Sequence, residues 1–157
     1  MTGLDPAALE LLRERSGLSI DLDGRLCHQG EPITHARTLE VLWRSLERQV
    51  DGRYLVRVGR ESGYVQLADA PYGVRGVTFD GSGARLHLTD GTEEPLDPRT
   101  VALDRDGVLH CTVKGGHRAR FTRAAQLDLG FQVEEDPGAP GGYLLRLAGR
   151  TWPIAIE

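Results

Sequence analysis

Apolar positions along the chain change period several times, and each change marks an element. Leu39, Leu42, Trp43 and Leu46 recur at i, i+3, i+4 and i+7. That spacing puts one apolar face on a helix over 35–49, with Thr34 placed to cap it. Nearer the start, Asp5 as N-cap, Pro6 in the first helical position, Leu9 and Leu12 as a stripe and Gly17 as a stop predict a first helix. Elsewhere the pattern is that of strands. Stretches 20–22 and 26–28 flank Asp23-Gly24, 74–79 and 85–89 flank Asp80-Gly81-Ser82-Gly83, and 101–103 and 108–113 flank Asp106-Gly107. Asp-Gly between apolar runs predicts a tight hairpin turn whose two central residues take positive φ. Stretches 54–58 and 63–67 form a further expected pair. Gly30-Glu31-Pro32-Ile33 reads as a break in the sheet and 93–98 as a polar, Pro-broken linker. A shorter helix is expected over 122–129, a Pro/Gly loop over 136–142, and closing strands over 143–147 and 152–156.

The order of these landmarks repeats. Asp23-Gly24-x-Leu26, Gly30, a helix and Tyr54-Leu55-Val56-Arg57-Val58 return as Asp106-Gly107-x-Leu109, Gly115-Gly116, a helix and Tyr143-Leu144-Leu145-Arg146-Leu147. The expected fold is therefore α+β, a tandem duplication of a strand–turn–strand–helix–strand–strand unit over about 18–68 and 101–156. The expected division is residues 1–96, holding the first helix, the first repeat and the central hairpin, and 97–157, holding the second repeat. Two such copies packed as one unit would leave a cleft at their junction.

Composition narrows the function classes. The chain has 157 residues and a formal net charge of −4, which argues against coating duplex nucleic acid. Lys114 is the single lysine among 19 cations, so 18 are arginine, and they are dispersed along the chain as a GC-rich genome would leave them. Two cysteines exclude a disulfide scaffold. No apolar run approaches the length of a membrane helix and the start lacks a signal-peptide pattern, so no membrane partner and a cytoplasmic location are expected.

A further set of residues carries a family likeness. Ile20-Asp21-Leu22-Asp23-Gly24, Gly30-x-Pro32-Ile33, Leu39 and Leu42 on the helix, Asp51-Gly52-x-Tyr54-x-Val56, Asp69-Ala70-Pro71-Tyr72, Gly116-x-x-Ala119-Arg120-Phe121-x-Arg123 and Asp128-Leu129 appear in that order. Together they resemble the uncharacterised bacterial family called domain of unknown function 1285. The resemblance implies a duplicated α+β core with a C-terminal half loosely like pleckstrin-homology folds. It also implies a nucleotide-like or nucleic-acid-derived ligand at the junction, a role in signal transduction, and no established enzymatic activity. Three places depart from the family pattern. Leu26 stands where an aromatic is usual, His35 where an arginine is usual, and Val58-Gly59-Arg60-Glu61 replaces Pro-x-Glu-Lys.

The candidate chemistry is sparse. Cys27-His28 and His110-Cys111 offer the donors of a tetrahedral zinc site, but adjacent strand residues point to opposite faces, so no metal is expected there. Gly81-Ser82-Gly83 lacks the following helix that a phosphate loop requires. Arg118, Arg120 and Arg123 form the densest basic cluster, beside Lys114 and His117 and at the entry to the second helix. The site expected from the sequence joins Asp69, Tyr72, Arg120 and Arg123, with Arg37 and His35 as further candidates. The arginines would take an anionic group, Tyr72 would stack or hydrogen-bond, and Asp69 would orient an arginine or accept from a base or sugar. The leading function is a binding or regulatory module for an anionic, nucleotide-like ligand, without cofactor. A small hydrolase or transferase using Cys27 or His28 with His110, and a protein-interaction scaffold, are the rival classes.

Overall fold

The structure, a computed structural model, describes residues 6–157. Asp5, the expected N-cap, and the side chains of Leu9 and Leu12 lie outside the described residues. The chain divides into two compact units. The first runs through Asp21 and resumes over Arg25–Asp69, and the second comprises Leu22–Gly24 and Ala70–Glu157.

The first unit contains α1 (Pro6–Glu14), β1 (Leu18–Ile20), β2 (Leu26–His28), β3 (Glu31–Pro32), α2 (Ala36–Arg44), β4 (Glu47–Arg48), β5 (Tyr54–Val58) and β6 (Glu61–Leu67). Its strands form one sheet in the order β3-β2-β1-β6-β5-β4. All neighbours are antiparallel except β1 and β6, which run parallel with Leu18 opposite Val65 and Ile20 opposite Leu67. Leu42 on α2 is buried with Ile20, Leu26, Tyr54, Val56 and Val65 from the sheet, and Leu39, Trp43 and Leu46 pack half-buried against them. The apolar phase of the helix is thus as expected, but its length is not. The Ser45 N–H returns to the Val41 and Leu42 carbonyls, and Glu47 and Arg48 leave the helix to pair with Leu55 and Tyr54. The N-cap is His35 rather than Thr34, its ring Nδ1 accepting from the Thr38 N–H at 3.3 Å.

The second unit contains β7 (Tyr72–Asp80), β8 (Gly83–Leu88), β9 (Glu93–Pro95), β10 (Ala102–Leu103), β11 (Leu109–Val113), β12 (His117–Phe121), α3 (Arg123–Gly130), β13 (Val133–Glu135), β14 (Tyr143–Leu147), β15 (Arg150–Pro153) and β16 (Ala155–Ile156). One sheet has the order β16-β10-β11-β12-β7-β8-β9 and another β13-β14-β15. The parallel pairs are β10 with β16 and β12 with β7. Thr122 caps α3 by accepting the Ala125 N–H at 3.2 Å, and Ala125 and Leu129 on that helix are fully buried.

Three local expectations give way to the structure. The 93–98 stretch is not a linker: Glu93–Pro95 is a strand paired with β8, and Leu96 after it is buried. Gly30 to Ile33 does not break the sheet. Gln29 and Gly30, both at positive φ (51° and 82°), turn the chain so that Glu31–Pro32 pairs with β2. Gly81-Ser82 is a two-residue turn between paired Asp80 and Gly83, as expected, but the turns at Asp23-Gly24 and Asp106-Gly107 are five-residue loops. Asp21 donates its N–H to the Arg25 carbonyl (3.0 Å) and accepts the Arg25 N–H at Oδ1 (2.9 Å). Asp104 does the same with Val108, at 3.0 and 2.9 Å. Only the glycine of each pair, Gly24 or Gly107, takes positive φ (78° and 79°). The mixed α+β class holds. No helix among the described residues is long and apolar enough to cross a membrane.

Candidate functional site

β12 ends at Phe121 and α3 begins at Arg123, with Thr122 alone between them. This strand-to-helix corner forms one wall of a cleft of about 480 Å³ in the second unit. Arg120, Phe121, Thr122 and Arg123 line it from the corner, Gln126 and Leu127 from the next turn of α3, and Gly107 and Val108 from the loop before β11. Leu22 and Asp23 complete the lining. Two of the expected residues, Arg120 and Arg123, therefore meet at one concavity.

The pairing of strands explains why Tyr72 does not. In the parallel register of β12 and β7, Ala119 lies opposite Tyr72, and Arg120 opposite Gly73. Partners across a sheet share a face and neighbours along a strand alternate, so Tyr72 and Arg120 point to opposite faces. Tyr72 is buried, its ring edge-on to His117 at 5.7 Å and 5.4 Å from the Lys114 ammonium. Asp69 is half-buried at the end of the first unit. His35 and Arg37 also belong to the first unit, His35 engaged as the α2 cap and Arg37 exposed in its first turn.

On the Arg120 face, His110 lies directly across the ladder. It is 1% exposed, with Nδ1 3.7 Å from the Asp104 carboxylate. The Val108 N–H holds the Asp104 carboxyl below the usual carboxylate range, aided by the Asp106 N–H and the Arg120 charge. Arg118 is engaged elsewhere, in a two-pronged pair with Glu157 at 2.6 Å for each contact. Lys114 is held by Asp90 at 2.7 Å and Thr92 at 3.0 Å. Of the basic cluster in the sequence, Arg123 is the exposed member at the cleft.

The cysteines are poorly suited to nucleophilic chemistry. Burial pushes the Cys111 thiol up to about 12 and, with the Asp21 carboxylate, raises that of Cys27. A thiol above its ordinary range stays protonated at neutral pH and attacks slowly. Along β2, Cys27 is buried and His28 exposed, and His110 and Cys111 take opposite faces of β11, so each dipeptide offers one donor per face. The Gly81-Ser82-Gly83 turn joins two strands, and Asp80 Oδ1 already accepts from the N–H groups of Ser82 (2.8 Å) and Gly83 (3.1 Å).

Sequence reasoning passed over Leu22, Asp23, Val108, Gln126 and Leu127 of the cleft. Asp23 was visible as a turn residue. Leu127 carried a weak signal, a leucine on the short helix out of phase with buried Ala125 and Leu129.

No protein-family model and no curated protein matches the chain. Solved structures do. A DUF1285 family protein from Silicibacter pomeroyi DSS-3 matches over 99% of this chain and 90% of its own, with a TM-score of 0.66 and 19% identity. A DUF1285 family protein from Shewanella baltica OS155 matches over 69% of this chain and 86% of its own, with a TM-score of 0.55 and 19% identity. The chain therefore has the fold of these proteins, in line with the motif order in its sequence.

Proposed function

We propose that this chain, with the fold of DUF1285 family proteins, is a binding module that takes the anionic group of a small ligand in the cleft of its second unit. The observation that carries the proposal is the convergence of Arg120 and Arg123 on one concavity across a single-residue corner. Arg123, exposed at the cleft, would grip a carboxylate or phosphate with two parallel N–H donors. Arg120 adds positive potential from the wall. Tyr72, turned to the other face, takes no part. A nucleotide-like ligand is what the family resemblance implies. Two guanidiniums alone ask for an anion.

Thermal melts with a panel of nucleotides and carboxylates test the proposal, because a ligand that binds the folded state raises Tm. At least one anion is expected to raise Tm of the natural chain. Arg123→Ala should lose that rise with its unliganded Tm unchanged, the affinity falling by about 1.5–3 kcal/mol. A panel without any shift, or a shift that survives both Arg123→Ala and Arg120→Ala, overturns it.

We also infer that the two units share a duplicated core. The order β3-β2-β1-β6-β5-β4 has a counterpart in β12-β11-β10-β16 together with β15-β14-β13, Ile154 alone separating β15 from β16. The parallel pair β1 and β6 corresponds to β10 and β16, and each helix follows the third strand. Local details support it too. Gln29-Gly30 and Lys114-Gly115 have nearly the same positive φ values, 51° and 82° against 51° and 78°. The Asp21 and Asp104 loops are closed by the same two bonds.

A further inference from the structure

We infer that the ligand of this cleft is an amphiphilic carboxylate, a single negative charge on an apolar body, rather than a polyphosphate. The inference rests on the cleft being the anion site proposed above and specifies what fills the rest of it.

Charge comes first. Arg120 and Arg123 contribute two positive charges to the lining and Asp23 one negative, leaving 2 − 1 = +1. The Arg120 charge also acts on Asp104, which weakens what it presents to a ligand. A lining of this charge complements one carboxylate. The several charges of a nucleoside di- or triphosphate would exceed it, and Asp23 would repel them.

The remaining polar groups point the same way. Reading a sugar or a base takes several available donors and acceptors, and the two uncharged polar side chains of the lining already commit part of theirs within the protein. Thr122 Oγ1 accepts from Ala125 N–H at 3.2 Å. The Gln126 side chain accepts from Leu109 N–H at 3.0 Å and donates to the Gly107 carbonyl at 2.7 Å. Both side chains hold the corner and the loop in place.

The rest of the wall is hydrocarbon: Leu22, Val108, Phe121 and Leu127. Leu22 is 51% exposed and Leu127 63% exposed. Phe131, four residues beyond Leu127 at the end of α3, is 85% exposed and continues the same side of the helix. An apolar chain leaving a carboxylate at Arg123 would cover these groups, and burial of such surface supplies binding energy that a sugar could not.

Calorimetric titration of the full chain with sodium octanoate, ATP and inorganic phosphate, with sodium acetate as a short-chain control, tests this. Octanoate is expected to bind at least about tenfold tighter than ATP or phosphate, and Arg123→Ala to weaken it by about tenfold or more. Leu127→Ser should weaken octanoate by about fivefold and leave the weak binding of acetate unchanged. Tighter binding of ATP or phosphate that depends on Arg123 would overturn the amphiphilic ligand and keep the anion site. Octanoate binding that ignores either Arg123→Ala or Leu127→Ser would overturn the inference as well. No binding of any of the three would overturn both the inference and the site it rests on.

Discussion

Gly24 and Gly107 form a matched pair in which one physical difference can be isolated. Each is the glycine of an Asp-Gly loop closed by the same aspartate bonds, and both belong to the second unit. Their φ angles are +78° and +79°. A Cβ on Gly107 would meet nothing within 4 Å. One on Gly24 would lie 2.7 Å from Thr89 Cγ2, 2.8 Å from Thr89 Oγ1 and 2.9 Å from the Gly73 Cα. Thr89 cannot swing aside freely, because its Oγ1 accepts the Gly73 N–H at 2.9 Å, and Gly73 is backbone in β7. Gly107→Ala should therefore cost only the left-handed strain of an L-residue, about 1–2 kcal/mol, partly offset by the lower entropy of the unfolded chain. Gly24→Ala should add about 1–3 kcal/mol of overpacking to the same strain. Urea denaturation of the two variants beside the natural chain measures both. The expected result is a midpoint loss for Gly24→Ala at least about twice that for Gly107→Ala, with unchanged m-values. Equal losses would refute the close approach of Gly24 to Gly73 and Thr89.

Asp104→Asn tests the second of those loops through pH. The folded Asp104 carboxyl titrates below its unfolded value, so its stabilisation is present above the unfolded pKa of about 4 and is lost as pH falls through the folded value. The variant should be less stable than the natural chain at pH 7, and the gap should close in urea melts taken progressively below pH 4. Leu42→Ala should cost about 2–3 kcal/mol, the low end for a buried leucine, since Leu42 also borders an open cleft in the first unit that permits relaxation. Chemical denaturation measures it, and a cost under about 1 kcal/mol would contradict the packing of α2 on the sheet. Cys111, 2% exposed with its thiol pushed up to about 12, should resist a thiol reagent at pH 8 and react once the chain is unfolded in urea. Rapid modification of the folded chain would contradict that burial.

Sequence pattern carried the elements whose signal is local. The strand over Tyr54–Val58 and the phase of α2 follow from residue type and period, and the burial of Leu42 follows from that phase. Pairing across the sheet was less legible. β4 takes over where helical periodicity runs on, because Glu47 and Arg48 find strand partners in Leu55 and Tyr54. β3 and β12 were missed since their turns are Gln29-Gly30 and Lys114-Gly115, whose first residues are not usual positive-φ formers. The site divided along the same line. Arg120 and Arg123 are three residues apart in the chain, and a corner brings them to one cleft. That Tyr72 turns away from Arg120 depends on the parallel register of β12 with β7, whose paired residues lie 119 − 72 = 47 positions apart in the chain. Nothing in either segment encodes that register alone.

The anion cleft is tested most directly by following backbone amide shifts of the isotopically labelled chain during titration with octanoate. The amides of Gly107, Val108, Thr122 and Gln126 are expected to move together and saturate, and in Arg123→Ala to stay in place at the same concentrations. Shifts confined to other residues, or shifts at these four that persist in Arg123→Ala, would contradict an arginine-held anion site at the corner of β12 and α3.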